Sequence, residues 1–242
     1  METQVEKRNQ FGDHKDVGNM SVGDWEEVWE LGQTTHFHME DVHPNLQKYY
    51  KHLTRGRDKL RFYVPLCGKS VDLIWLADKG HTVIGCEGSD LACNQFFGEN
   101  SIPYITSKIP GVDGIAYVAG KEAIGIYRCD FFQLSVEILE PFDCIWDRGS
   151  FVAIPVTMRQ QYADSIIPTL KKDGSYLLDT FQLSSDIFAG PPFNCTEDDV
   201  YKYFGNLCNI EKLESTDICG DMHRQEWGLQ SFDEVVYLLT LK

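Results

Sequence analysis

The chain has 242 residues, of which 43% are hydrophobic, 12% aromatic and 24% charged, a balance that excludes a disordered or fibrous protein. Its 22 Lys and Arg stand against 37 Asp and Glu, a formal net charge of −15, so a nucleic-acid backbone or an anionic membrane would be repelled on average. Residues 1–20 are polar, without the apolar core of a leader, and no run approaches the roughly 20 apolar residues of a membrane span.

In chain order, a disordered polar tail is expected over 1–20 and a single domain over 21–242, opening with a cap at 21–60. Within the cap, Val22, Trp25, Val28 and Trp29 recur at spacings of three and four, which predicts an amphipathic helix over 22–30. Residues 61–66 (RFYVPL) read as a strand, then come the turn Cys67-Gly68-Lys69, a helix over 70–79 stopped by Gly80, and a strand over 81–87. This is a βαβ unit, which implies a parallel sheet with a right-handed crossover. Helix and strand then alternate: helix 91–100, strands 125–128 and 142–146, a helix over 158–171 that Pro168 should kink or shorten, and strand 175–181. Thr196, with Asp199 three residues on and Gly205 beyond the end, bounds a helix to Phe204. Segments 210–213 and 234–241 predict a closing antiparallel pair. The stretch 101–121 is irregular and Gly-rich, with no element assigned. The class is α/β, doubly wound.

Eight cysteines form no CxxC pair and lie mostly in apolar runs, as small buried hydrophobes do. With no leader this fits a reducing, cytoplasmic setting. The glycosylation triplets at Asn19 and Asn194 carry no weight without secretion.

In an open parallel sheet a ligand binds beyond the carboxyl ends of the strands. Three such positions hold suggestive chemistry. The turn at 65–70 feeds a helix N-terminus and lets a ligand approach the backbone at Gly68. Its single glycine lacks the GxGxxG that admits a pyrophosphate, which disfavours a nicotinamide- or flavin-dependent oxidoreductase. Glu87 ends the next strand about twenty residues later, where a carboxylate can accept from both ribose hydroxyls. Asp130, followed by Phe131 and Phe132, can accept from an adenine amino group beside an aromatic ring. Each taken singly has a plainer reading: an ordinary turn, a solvated acid, a cap for the following turn. Together, in successive strand ends, they describe an adenosine ligand without a diphosphate, S-adenosylmethionine. Asp147 and Arg148 are either a local salt bridge or, through Arg148, a bidentate partner for a carboxylate or an anionic substrate. The run His36, His38, Glu40, Asp41, His43 fits no standard zinc spacing and reads as surface histidines, so no metal is expected.

These residues resemble the thiopurine S-methyltransferase family. The likeness rests on Trp25, Trp29, Gly32 and Phe37-His38, PLCGKSVD at 65–72, WLADKGHTVIGCE at 75–87, IWDRGSFVAI at 145–154, GPPF at 190–193, WGL at 227–229 and YLLT at 237–240. It implies a seven-stranded, mostly parallel class I methyltransferase sheet, with S-adenosylmethionine as donor and the sulfur of an aromatic or heterocyclic, thiopurine-like thiol as acceptor. By this resemblance Trp25, Trp29, Leu66, Glu87, Asp130, Phe131 and Arg148 hold the donor, with Arg148 also catalytic, standing where methionine meets substrate. Phe37 faces the acceptor ring, as does one of His223 and Arg224. The chain departs from the family in an interval from Gly32 to Phe37 that is one residue longer, and in Gly88, where similar chains have a bulkier residue. A monomer acting on a small molecule, without nucleic acid or membrane, is expected. Two alternatives differ in activity: a donor-binding protein without turnover, and a methyltransferase for inorganic sulfur or selenium acceptors.

Overall fold

The computed structural model describes residues 9–11, 18, 20–119, 123–185 and 187–242. Most of the expected tail, and Asn19 of the first glycosylation triplet, lie outside the described residues.

The cap holds two helices. α1 (Val22–Glu30) is bounded by a capping box in which the Ser21 side chain and Asp24 satisfy each other's backbone N–H. α2 (Pro44–Thr54) has Pro44 in its first turn and His43 as its cap. The sequence reading passed over α2, although Leu46, Tyr49 and Leu53 recur at helical spacing and are buried. The βαβ unit follows as expected: β1 (Arg61–Val64), α3 (Asp72–Asp78) and β2 (Thr82–Glu87). Next come α4 (Asp90–Glu99), β3 (Tyr104–Lys108), β4 (Ile115–Ala119) and β5 (Ile124–Arg128). β6 (Phe142–Arg148), α5 (Arg159–Ile166) and β7 (Leu170–Ser184) continue the alternation. α6 (Glu197–Phe204), β8 (Cys208–Asp217), α7 (Asp221–Glu226) and β9 (Ser231–Leu241) close the chain.

The strands form one sheet in the order β3-β4-β5-β2-β1-β6-β7-β9-β8. The five central strands pair in parallel, and an antiparallel hairpin extends the sheet at each edge. The sheet is therefore nine-stranded and mixed, a correction to the seven-stranded, mostly parallel expectation. The two extra strands are β3 and β4, from the stretch that carried no assignment. β3 is an edge strand exposed along its whole length, so no burial imposes an alternating pattern on it. A second correction concerns the helix over 158–171. It ends at Ile166, Pro168 falls in a 3-10 turn, and Leu170 already begins β7, because proline has no N–H for the helical ladder.

Alternation along the central strands sends neighbouring side chains to opposite faces. Phe62, Val64, Cys144, Trp146 and Leu177 meet α2, α3 and α4 on one face, and Tyr63, Ile145, Tyr176 and Leu178 meet α5 and α6 on the other. Core on both faces leaves the carboxyl edge of the parallel strands as the open rim.

Candidate active site

The rim begins where β1 turns. Leu66 and Gly68 both take positive φ, 41° and 52°, a conformation that costs a leucine energy and suits a glycine. The turn is tied to the end of β2 by Glu87, whose Oε2 accepts from the Gly68 N–H at 2.8 Å and whose Oε1 accepts from the Ser89 N–H at 2.8 Å. Burial pushes the Glu87 carboxyl above its ordinary range, and the backbone donors of Ser89, Gly68 and Gly88 work against that rise. Lys69, beside it, is an ion-pair partner of Glu99 on α4 at 2.8 Å.

The cap comes down on this turn. A Cβ placed on Gly68 would meet the Trp29 ring at 3.0 Å, so the missing side chain is what admits the indole. Gly88, just beyond β2, does the same for α1, since a Cβ there would lie 2.8 Å from Val22. Phe37 packs edge-on against Trp25 at 5.9 Å and Trp29 at 5.8 Å, beside a cluster of Met20, Val28 and Phe193. Phe193 is held from below: its N–H donates to the Val152 carbonyl at 2.7 Å, and the buried Arg159 guanidinium donates to its carbonyl at 3.1 Å.

At the end of β5, Asp130 is half-buried and its Oδ1 accepts from the Phe132 N–H at 2.9 Å. That bond caps the short 3-10 turn of Phe131–Gln133. The Phe131 ring is buried and stacks on Tyr162 at 4.7 Å. At the end of β6 the two candidate charges separate. Asp147 is fully buried among the side chains that meet α5, accepting from the Tyr162 hydroxyl at 2.6 Å and the Tyr176 hydroxyl at 2.5 Å. Arg148 faces the cap, and its Nη1 donates to the Phe37 carbonyl. The local salt bridge between them does not form, because consecutive strand residues point to opposite faces.

The C-terminal pair stands farther along the rim. His223 sits in an aromatic group with Trp227 at 5.1 Å and Phe232 at 4.8 Å, and its Nδ1 accepts from the Gly220 N–H at 3.1 Å. Trp227 in turn meets His36 of the cap at 5.6 Å. Arg224 is exposed and donates to the Gln230 and Cys219 carbonyls, both at 3.2 Å. Of the two, His223 packs toward the cap and Arg224 braces its own loop.

The histidine run disperses. Among the described residues, one group is close enough to hold an ion: His43, Asp179 and Glu234, with candidate donor atoms within 4.8 Å of one another. The hydrogen bonds oppose ligation. His43 Nδ1 accepts from the Asn45 N–H at 3.3 Å, which leaves Nε2 as the protonated ring nitrogen, facing Glu234 Oε1 at 3.5 Å. A metal on Nε2 would have to displace that proton and break the cap of α2. Asp179 and Glu234 are residues the sequence reading missed; an acid inside the apolar run LLDTF was the available signal.

A model of the thiopurine S-methyltransferase family matches residues 20–242. A probable thiopurine S-methyltransferase of Danio rerio is 42% identical over 226 residues, spanning 92% of this chain and 96% of that protein. The thiopurine S-methyltransferase of Bos taurus is 36% identical over 224 residues, spanning 92% and 91%. Among solved structures, the 1,6-didemethyltoxoflavin-N1-methyltransferase of Burkholderia thailandensis, with bound 1,6-didemethyltoxoflavin and S-adenosylhomocysteine, aligns with a TM-score of 0.60 at 16% identity. That alignment covers 90% of this chain and 87% of the other, a likeness of fold alone.

Proposed function

The chain belongs to the thiopurine S-methyltransferase family, and from that membership we propose that its rim site moves a methyl group from S-adenosylmethionine to the sulfur of an aromatic or heterocyclic thiol. The products are S-adenosylhomocysteine and a thioether. The observation that carries the reading is the junction at Gly68, where one hydrogen bond joins the turn after β1 to Glu87 and the Trp29 indole covers the turn. The residues suit the donor. Glu87, with backbone donors on both oxygens, keeps further lone pairs for ribose hydroxyls. Leu66 presents its backbone to the methionine end, and Asp130 and Phe131 border the adenine. Arg148 has a buried Nε without a hydrogen-bond partner and serves a carboxylate or a thiolate.

Bound S-adenosylmethionine supplies an electrophilic methyl group on a sulfonium. The protein's role is to hold the acceptor sulfur behind that methyl, and orientation of this kind is worth on the order of 7 to 11 kcal/mol. Trp25 and Trp29 cover the donor and exclude water, and Phe37, packed edge-on against both, faces the flat acceptor. Heteroaromatic thiols ionise more readily than a cysteine at about 8.5, which makes a dedicated base dispensable. Arg148 and His223 then face the anion, with Arg148 the group that positions it.

The same reading takes residues 21–242 as one domain with a cap at 21–60, working as a cytoplasmic monomer on small molecules rather than on nucleic acid or membrane. Among the described residues no helix is long and apolar enough to cross a membrane. Equilibrium dialysis against S-adenosylmethionine and S-adenosylhomocysteine, followed by incubation with methyl-labelled donor and thiophenol, tests the proposal. Retention of both ligands and release of labelled thioether are expected. Retention without thioether would leave a binding protein, and no retention at millimolar ligand would end the reading altogether.

A further inference from the structure

Beside Arg148 the sheet carries buried polar side chains that the proposed transfer does not use. Asp179 on β7 is the register partner of Arg148 on β6, so the two project from the same face. Glu234 on β9 shares that face, two residues from Val236, the register partner of Asp179. From α2 the Asn45 amide donates to both acids, at 3.0 Å to Asp179 Oδ2 and 2.9 Å to Glu234 Oε2. The His43 ring closes the group 3.9 Å from Asp179 Oδ2, and its backbone N–H is anchored on Asp72 of α3 at 2.8 Å.

What remains unpaired is complementary. Asp179 Oδ1 and Arg148 Nε are both buried and neither has a hydrogen-bond partner. A charged acceptor without a donor and a charged donor without an acceptor therefore stand on paired residues of adjacent strands, and leaving both unmade is costly. The guanidinium meanwhile spends Nη1 on the Phe37 carbonyl of the cap.

We propose that Asp179 is a positioning residue for Arg148: its carboxylate, held by the Asn45 amide and flanked by the His43 ring, draws the guanidinium back against the sheet and sets the direction of its remaining donors. The inference rests on the reading of Arg148 as the group that holds the anion. Asp179 acts through Arg148 and needs no contact with the reacting atoms. Burial, then the charge of Glu234, push the Asp179 carboxyl up to about 7, while His43, Asn45 and Arg148 pull it down. Glu234 is held below its ordinary range by His43, Asn45 and Arg148 despite its own burial. Asp179 is thus neutral in acid and charged in mild alkali, and the anchor engages as pH rises.

Steady-state kinetics from about pH 5.5 to about pH 9 test this, with thiophenol and 4-nitrothiophenol as acceptors of different acidity. The native enzyme is expected to show a kcat rise near pH 7 common to both acceptors. Asp179→Asn should abolish that rise and lower kcat in mild alkali about tenfold, with a smaller change in KM, as mispositioning does. Glu234→Gln removes the like charge and should move the rise to lower pH; it also decides the question if circular dichroism shows Asp179→Asn unfolded. A native profile in Asp179→Asn, an unmoved rise in Glu234→Gln, or a rise that follows the acidity of the acceptor overturns the proposal. Arg148→Ala separates the two readings. If it leaves kinetics and donor affinity intact, the role of Arg148 itself falls; if it impairs them while Asp179→Asn does not, only the positioning role falls.

Discussion

Gly68 shows how one residue can serve backbone, packing and ligand together. Its φ of 52° is cheap only without a Cβ, its N–H fixes Glu87, and its bare Cα admits Trp29. Gly68→Val should therefore displace the indole and weaken S-adenosylhomocysteine binding about tenfold by titration calorimetry, alongside roughly 1–2 kcal/mol of backbone strain. An unchanged affinity would mean that the cap does not cover the donor. Asp179 gives a stability prediction whose sign follows from its raised carboxyl. The folded state keeps the proton more tightly than an unfolded chain with its value near 3.8, so this group's contribution falls as pH rises from about 4 to about 7 and is level above. Asp179→Asn should gain stability relative to the native chain at pH 8 and not at pH 4, measured by urea unfolding at both.

At the scale of elements, the site is a matter of strand ends delivered by buried strands. β6 is buried at four successive residues, Cys144 to Asp147, and the acid among them is held by the Tyr162 and Tyr176 hydroxyls, so the strand tolerates no charge without a partner. Ile145→Asp should cost several kcal/mol and leave the chain without a cooperative thermal transition, because an unpaired charge in that layer has no solvent and no partner. A folded variant would contradict the burial. The helices divide by the same logic. α6 was legible at its start, since Thr196 and Asp199 form a reciprocal cap in which the Thr196 N–H donates to Asp199 at 2.9 Å and the Asp199 N–H donates to the Thr196 hydroxyl at 3.2 Å, and at its end, where Gly205 is the C-cap. The hairpin of β3 and β4 was not, because an exposed edge strand owes its conformation to pairing with β4 rather than to its own pattern of side chains. Pro168 announced a break, but where β7 would start depended on pairing, with Leu170 set opposite Phe142 on β6.

For the whole molecule, the excess of 15 negative charges acts as self-repulsion that folding concentrates. Raising ionic strength from about 10 mM to about 150 mM shortens the screening length from about 30 Å to about 8 Å and should raise Tm. A Tm that falls over this range would mean that attractive surface pairs outweigh the repulsion. Exposed pairs between separate elements, such as Lys48 with Glu214 and Lys212 with Glu197, are worth too little to reverse the sign.

The order of strands and helices around the parallel core was determined by the sequence, because burial on both faces imposes apolar runs and the breaks between them are local chemistry. So were the strand-end acids at 87 and 130 and the turn at 68, since a βαβ chain brings its strand ends to one rim. Tertiary structure alone decided what those groups do there. Asp147 and Arg148 are neighbours in the chain, yet one is taken up by the Tyr162 and Tyr176 hydroxyls and the other by the Phe37 carbonyl of the cap. Residues 43, 45, 179 and 234 become one polar group only when α2 is laid across β7 and β9. A period of two tells which face a side chain takes, whereas its partner there depends on which distant element the sheet brings over it.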